Sequence, residues 1–378
     1  MVVEGSMKIL QTPARFHPFI GGVENCVYDL SRELVKLGHE VTVLCANEPK
    51  SEKEEVLDGI RVLRVPYIGK IANTNITPRL PIEILKEDFD LVHAHLPTPW
   101  SSDWSAIASV AKRKPLVLTY YNDIVGEGHL DGIARIYNKF NLKFVLKRAS
   151  KIIIIQPDYI RSSPYLKDFA DKVETIPVGV NLEKFRPDGM ATNGKTLFFL
   201  SILDSYHRYK GLDDLLRALV LVKRAVPDVG LVVGGDGELL SHYKSLCDSL
   251  GLNENVDFIG FVPEEMVTKC YNRCDIFVLP SISRAQEGFG MVALEAMACG
   301  KPVICSDVVG VAEDLGSFGA GLTVEPSNTE EMAEAISRLL MNRSLARRMG
   351  DAGRRLAEER YGWRAIAERI EKVYDGLV

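Results

Sequence analysis

The chain has 378 residues, too long for one ordinary core and suited to two domains of about 150 to 200 residues each. Hydrophobic residues make up 46% and charged residues 26%, which excludes the low-hydrophobicity, high-charge regime of disorder. A formal net charge of −5 leaves no domain-wide basic footprint for a nucleic acid. No apolar run approaches the roughly 20 residues that span a bilayer and the N-terminus lacks a signal-peptide layout, so a cytoplasmic location is expected. The cysteines Cys26, Cys45, Cys247, Cys270, Cys274, Cys299 and Cys305 fall mostly inside apolar patterns without zinc-type pairing, as suits a reducing compartment. Met1–Ser6 precede the first strand pattern and read as a leader outside the fold.

The first half opens with an apolar segment at Lys8–Gln11. Val23, Val27, Leu30, Leu34 and Leu37, spaced by four and three, then predict one buried helix face stopped by Gly38. Strands are expected at Val41–Cys45, Ile60–Val65, Leu91–His95, Leu116–Tyr120 and Ile152–Ile155. The same grammar restarts after Ile176–Asn181 and the polar stretch Arg186–Lys195, which marks a domain junction. Its strands are expected at Thr196–Ser201, Leu231–Gly234, Val256–Gly260, Ile276–Pro280, Val303–Ser306 and Leu322–Val324. Ser327-Asn328-Thr329-Glu330 reads as a capping box, and Trp363, Ile366, Ile370, Val373 and Leu377 form one face of a last helix. Strands alternating with helices imply α/β domains with parallel sheets covered on both sides. The expected division is 1–184, 185–361 and a C-terminal helix, 362–378. Ligands of such sheets bind beyond the carboxyl ends of the strands, and two domains leave a cleft for them.

The most informative segment follows the strand ending at Leu279-Pro280. It runs Glu287-Gly288-Phe289-Gly290-Met291, through Glu295, to Cys299-Gly300. The glycines let a ligand approach the backbone, and the free amides of a helix start favour phosphate oxygens. Glu287, seven intervening residues, Glu295, a small-residue helix and Gly300-Lys301-Pro302-Val303 resemble the signature of the family 4 retaining glycosyltransferases, also called glycosyl transferases group 1. The resemblance extends from Lys8 to the last helix. It implies the GT-B fold, with two facing Rossmann-like domains, an interdomain cleft, and a last helix packing back toward the first domain. It further implies that Glu287 meets donor-sugar hydroxyls, that Glu295 meets the ribose, and that amides from Gly288, Phe289, Gly290 and Met291 meet the sugar and diphosphate.

A diphosphate leaving group needs cations, because charge accumulates on it as the sugar bond breaks. Arg208-Tyr209-Lys210-Gly211 matches the family's basic residue and Lys-Gly pair, which makes Lys210 a catalytic phosphate ligand. The family's arginine directly after this strand is replaced by Ile202-Leu203, leaving Arg208 or His207 as the second cation. Gly234-Gly235-Asp236-Gly237-Glu238 lacks G-x-G-x-x-G spacing, which disfavours hydride transfer. The resemblance instead puts Gly235, Phe261 and Val262 around the nucleotide. With these cations no metal is expected, no Asp-x-Asp stands at a strand end, and no cofactor is expected beyond the nucleotide sugar as substrate.

In the first half Gly21-Gly22-Val23-Glu24 resembles the family's Gly-Gly-x-Glu loop facing the donor phosphates; a simple helix-start turn also fits Glu24. His93 and His95 close a strand and are expected on opposite faces, so that one of them, His95, reaches the cleft. Thr119-Tyr120-Tyr121-Asn122-Asp123 departs from the family's Thr-Tyr-His, with Tyr121 at the histidine position and Asp123 counted among substrate-binding residues. A phenol with an ordinary pKa near 10 is a poor base but can hold a sugar hydroxyl. In the mechanism usually proposed for such retaining enzymes, the departing phosphate takes the acceptor proton.

Residues 132–150 set Arg135, Lys139, Lys143 and Lys147 four apart beside Ile133, Ile136, Tyr137, Phe140 and Phe144. Two readings stand: a core helix with a solvated lysine face, or a helix lying on anionic lipid at the inner face of the membrane, as the first domain of several relatives does. The activity expected is retaining transfer from a UDP- or GDP-sugar to a glycan, lipid-linked or small-molecule acceptor. A nucleotide-sugar 2-epimerase shares the architecture but is disfavoured by Glu287 and Glu295 with Lys210-Gly211. A non-catalytic nucleotide-sugar-binding protein is kept open by Tyr121.

Overall fold

The computed structural model describes residues 5–19, 21–71, 74–124, 130–156, 159–284 and 286–378, so Met1–Glu4 of the expected leader lie outside the described residues. The chain divides into two compact units. Unit 1 combines Met1–Gly179 with Trp363–Val378, and unit 2 is Val180–Gly362. The first junction thus falls at 179/180, against 184/185 expected from the sequence, and the second at 362/363, against 361/362.

In chain order unit 1 contains β1 (Lys8–Thr12), α1 (Gly22–Lys36), β2 (Glu40–Ala46), β3 (Glu54–Leu57), β4 (Ile60–Val65), β5 (Gly69–Ile71) and β6 (Thr74–Ile76). There follow α2 (Leu80–Lys86), β7 (Leu91–Leu96), α3 (Ser101–Lys112), β8 (Leu116–Tyr120) and α4 (Leu130–Tyr137). A π-helical turn at Asn138–Leu142, α5 (Lys143–Arg148), β9 (Lys151–Ile154), α6 (Tyr159–Ser162) and β10 (Val173–Thr175) complete this run. The main sheet has the order β10-β9-β8-β7-β1-β2-β4-β3, and every neighbouring pair is parallel except β3 with β4. All six residues of β7 are buried, as a central parallel strand covered on both faces requires. On α1, Val27, Leu30 and Leu34 are buried, and Gly38 at φ 103° ends the helix. The edge strand β3 and the β5–β6 hairpin have no counterpart among the expected strands, because their mixed, half-exposed residues show no apolar run.

Unit 2 contains β11 (Thr196–Leu200), α7 (Leu212–Ala225), β12 (Gly230–Gly234), α8 (Leu240–Ser249), β13 (Val256–Gly260) and α9 (Glu264–Arg273). It continues with β14 (Ile276–Leu279), α10 (Met291–Ala298), β15 (Val303–Ser306), α11 (Ala312–Ser317), β16 (Gly321–Val324), α12 (Thr329–Met341) and α13 (Arg343–Leu356). Its sheet is wholly parallel, in the order β13-β12-β11-β14-β15-β16. This is the Rossmann order, with strand sequence reversing between β11 and β14. The cap of α12 is one residue later than the expected Ser327. Asn328 Oδ1 accepts the Glu331 N–H at 3.1 Å, while Ser327 sits in left-handed backbone at φ 59°.

The last helix, α14 (Trp363–Asp375), belongs to unit 1, where Trp363, Ile366, Ile370, Val373 and Tyr374 are buried and the helix packs on α1.

Candidate functional site

In unit 2 the strand order reverses between β11 and β14, and open α/β sheets bind ligands beyond the carboxyl ends of the strands at such a point. The loop after β11 ends in a 3-10 turn, Arg208–Lys210, and the loop after β14 carries Glu287. The two loops are stitched together: the Ile282 N–H donates to the Tyr209 carbonyl at 2.7 Å. The Lys210 ammonium donates to both oxygens of Glu287, at 2.9 and 2.8 Å. Glu287 is 2% exposed at its side chain and Lys210 16%, so this is a buried ion pair joining residues far apart in the chain. Ser281 also donates to Glu287 Oε2, and the Ser306 hydroxyl donates to the Ser281 carbonyl, extending the cluster to β15.

Two glycines make this geometry possible. Gly211 has φ 78°, and a Cβ there would lie 2.0 Å from the Pro280 carbonyl oxygen. Gly290, at φ 86°, caps α10 in left-handed backbone, so the chain turns from the Glu287 loop directly into the helix. At this helix start the Ala293 and Leu294 amides turn back onto the Gly290 carbonyl at 2.9 and 3.2 Å, and the Met291 and Val292 amides precede the first intrahelical bond. Gly288 is half-buried, and Phe289 is buried with its ring 5.5 Å from that of Tyr361. Glu295, on α10, accepts the Tyr271 hydroxyl at 2.7 Å. Tyr271 stands in an aromatic group with Phe185, Phe198 and Phe277, and burial, then Glu295 beside it, push its phenol well above the ordinary value.

Arg208 is engaged elsewhere: it donates to Asp213 at 3.2 and 3.4 Å, a carboxylate shared with His242 at 3.1 Å. His207 is held by Asp204 through Nδ1 at 2.7 Å and through its backbone N–H at 2.8 Å. The Gly235 N–H donates to the Gly260 carbonyl at 2.8 Å, tying together the ends of β12 and β13. Directly after β13, Phe261 is 75% exposed, a large apolar ring left in solvent, beside a half-buried Val262.

Unit 1 has its own reversal, between β1 and β7. Gly21 and Gly22 begin α1, and the buried Glu24 is paired with Arg15 at 3.3 Å. His93 and His95 are not on opposite faces as expected: their rings stack at 4.5 Å, because residues two apart on a strand share a face. Both are fully buried and bonded from every side. His93 meets the Tyr374 hydroxyl of α14 at 2.6 Å and the Thr119 hydroxyl at 2.8 Å. His95 meets Gln11 Oε1 at 2.7 Å through Nε2, which leaves Nδ1 to accept from the Tyr121 hydroxyl at 3.4 Å. Burial depresses the His95 imidazole to about 3 and puts that of His93 well below its ordinary value. Burial, aided by neighbouring Cys26 and Glu24, raises the Tyr121 phenol well above its own. All three groups are therefore neutral at pH 7. Asp123 accepts from Tyr120 and, at 2.7 Å, from Ser163.

The structure thus joins Lys210 to Glu287 and Tyr121 to His95. Ser281, Tyr271, Gln11 and Tyr374 were not legible as site residues; only Ser281, placed right after a strand end, carried any positional signal. Among the described residues no group of three or more His, Cys, Asp or Glu side chains could hold a metal ion.

Lys210→Met strands the buried Glu287 charge and is expected to cost about 3 kcal/mol of stability. Adding Glu287→Gln should recover most of that loss in thermal melts. The two histidines give a pH signature. Their folded pKa values lie below the unfolded value near 6.5, so the unfolded chain binds more protons and stability falls as pH drops. From pH 7 to pH 5 each should cost about 2 kcal/mol. Trp100, Trp104 and Trp363 all lie in unit 1, so denaturation followed by tryptophan fluorescence reads this unit, and His95→Gln should roughly halve the pH dependence.

Comparison with known proteins accords with this geometry. Residues 20–184 match the model of Glycosyltransferase Family 4, and residues 183–356 match that of Glycosyl transferases group 1. The phosphatidyl-myo-inositol mannosyltransferase of Mycobacterium leprae is 29% identical over 365 residues, covering 94% of this chain and 93% of that one. The O-antigen chain mannosyltransferase C of Escherichia coli is 26% identical, covering 98% and 99%. Among solved structures, Anabaena HepE in complex with UDP-glucose superposes with a TM-score of 0.74 at 22% identity, covering 98% of this chain and 100% of its own. With its two Rossmann-like units and the two family models together matching residues 20–356, the chain belongs to the family 4, group 1 glycosyltransferases of the GT-B fold.

Proposed function

We propose that this glycosyltransferase takes a hexosyl group from a UDP- or GDP-sugar and delivers it, with retained anomeric configuration and without a metal, to a hydroxyl of a glycan, lipid-linked or small-molecule acceptor. The observation that carries the reading is the buried Lys210–Glu287 pair at the carboxyl ends of β11 and β14. Mannosyltransferases among the relatives and the UDP-glucose bound to HepE support a hexose nucleotide as donor.

In this reading Lys210 and the first-turn amides of α10 receive the diphosphate, so that positive charge awaits the oxygens where negative charge grows as the glycosyl bond breaks. These groups supply the neutralisation a metal would otherwise give. Glu287, fixed by Lys210 and Ser281, accepts donor-sugar hydroxyls, and Glu295 is assigned to the ribose. Phe261 and Val262 flank the base. On the acceptor side a neutral Tyr121 orients the attacking hydroxyl, whose proton passes to the departing phosphate oxygen on the same face.

Incubation with UDP- and GDP-hexoses and a panel of acceptors should yield glycoside with its anomeric configuration kept, in the presence of EDTA. Glu287→Ala and Lys210→Ala should each lower kcat/KM for the donor by roughly 100-fold or more. Unchanged kinetics in both would sink the site assignment. Epimer without glycoside would identify an epimerase, and donor binding without either product a non-catalytic binder.

The membrane surface is proposed as a second partner. Along 132–150 four of the apolar side chains lie outside the core: Ile133 is 54% exposed, Ile136 64%, Phe140 62% and Phe144 45%. Leu142, Val145 and Leu146 fill the core instead, and Tyr137 turns inward to Asp103 at 2.8 Å, off the face expected of it. Exposed aromatic and aliphatic groups beside Lys139, Lys143 and Lys147 suit an anionic interface. No helix among the described residues is long and apolar enough to cross a membrane. Phosphatidylglycerol vesicles should sediment the protein, and a Phe140→Asp, Phe144→Asp variant should stay in the supernatant.

A further inference from the structure

A cavity of about 800 Å³ lies in unit 1 and has no role in the chemistry above. Its walls come from three loops. Pro18 and Phe19 follow β1, Asn47–Lys50 follow β2, and Pro66 and Tyr67 follow β4. These are adjacent parallel strands, so the cavity sits at the carboxyl edge of the same sheet whose β7 and β8 ends carry His95 and Tyr121.

Its lining has two kinds of surface. Phe19 has the Arg15 guanidinium 4.0 Å from its ring centroid, and Tyr67 is 37% exposed with the Lys70 ammonium 6.0 Å from its own. Prolines between them make the wall rigid before any ligand arrives. The polar element is Glu48, which accepts Lys70 on one oxygen and Asn75 on the other at 2.7 Å. Burial opposes its ionisation, but hydrogen bonds from Lys70 and Asn75 hold the carboxyl below its ordinary value. A carboxylate has about four lone-pair sites, so each fixed oxygen can still accept a hydroxyl. Lys50, exposed at the rim, adds donors.

The ligand class follows by elimination. A wholly apolar guest would strip water from Glu48 without replacing it, and with Glu48 already paired to Lys70 the wall holds no unpaired buried charge for an ion to answer. A neutral sugar ring satisfies both surfaces, with hydroxyls toward Glu48 and Lys50 and its C–H face on the electron-rich faces of Phe19 and Tyr67. Neighbouring strands lie about 4.8 Å apart, so the middle of the cavity, at the end of β2, is roughly 10 to 15 Å from the ends of β7 and β8, farther than one hexose spans. We infer that this cavity is a saccharide subsite that grips a sugar unit of the acceptor distal to the one glycosylated, and that the acceptor is an oligosaccharide or glycoside of at least two rings. The inference rests on the transferase reading for the word acceptor, but the binding site can be tested without it.

The full chain would be titrated by ligand-observed NMR with mono-, di- and trisaccharides of mannose, glucose and galactose. At least one trisaccharide should bind roughly ten-fold tighter than its monosaccharide, and Tyr67→Ala, on an exposed ring, should erase that difference while UDP or GDP binding stays unchanged. Glu48→Gln, which keeps the shape, should also weaken it. Absence of binding by the whole panel, no dependence on length, or equal affinity in Tyr67→Ala would overturn the subsite. Tyr67-dependent binding with no glycoside from any nucleotide sugar would leave the subsite standing and remove the transferase reading. Glycoside formation with one acceptor KM for wild type and Tyr67→Ala would do the reverse.

Discussion

The buried pairing of Lys210 with Glu287 is the constraint around which unit 2 is arranged. A carboxylate 2% exposed cannot be left alone in a protein interior, so the loop after β11 and the loop after β14 must meet. The strand order places those two strands side by side, Gly211 lets one loop pass under the Pro280 carbonyl, and Gly290 turns the other into α10. The result is a fixed ammonium–carboxylate pair beside a helix start, set in place by the fold itself. That is the condition under which electrostatic stabilisation is effective, because no reorganisation is left for the moment when charge develops.

The two units share a topology and differ in the charge they place at its reversal point. In unit 2 that point carries an ammonium, a carboxylate and a helix dipole. In unit 1 the equivalent place carries two imidazoles and a phenol that burial keeps neutral. Under the proposed transfer the salt-bridged site of unit 2 would take the diphosphate, and in unit 1 Tyr121, which unlike the two histidines is not fully buried, would meet a hydroxyl. The Tyr121 phenol is also held too far from ionisation to serve as a base. Its hydroxyl stands 3.4 Å from His95 Nδ1, and in the proposed transfer it would hold a sugar hydroxyl rather than remove its proton.

Much of this was legible from local pattern. The strand positions around Ile9, Val43, Val92, Leu118, Phe198, Val233, Phe277 and Ile304 follow from short apolar runs, and the Glu287–Gly300 segment declares a ligand loop entering a helix. What was not legible depends on neighbours far away in sequence. Nothing in the spacing of Lys210 and Glu287, 77 residues apart, says that they touch. Arg208 looks equivalent to Lys210 in the sequence, and only the nearby Asp213 draws it off. The cap of α12 slipped by one residue because Ser327 and Asn328 are both good capping types, and backbone geometry chose between them. The aromatic helix of 132–150 has apolar groups on more of its circumference than the core can use, and its periodicity does not say which of them are turned inward.

The helix that ends the chain shows why unit 1 cannot be understood as its N-terminal segment alone. Tyr374 lies 281 residues from His93 and hydrogen-bonds its Nδ1, which commits the other ring nitrogen to Thr119. His93 stacks on His95, which in turn receives Tyr121. The orientation of the Tyr121 phenol therefore depends, through two rings, on a tyrosine that reaches unit 1 only after the whole of unit 2 has been traversed. The same helix covers α1 with Ile366, Ile370 and Val373, so its apolar face supplies the free energy that holds the polar contact in register. Site geometry and packing are thus carried by one element, and a change at its buried face would be felt at Tyr121 even though it touches no substrate.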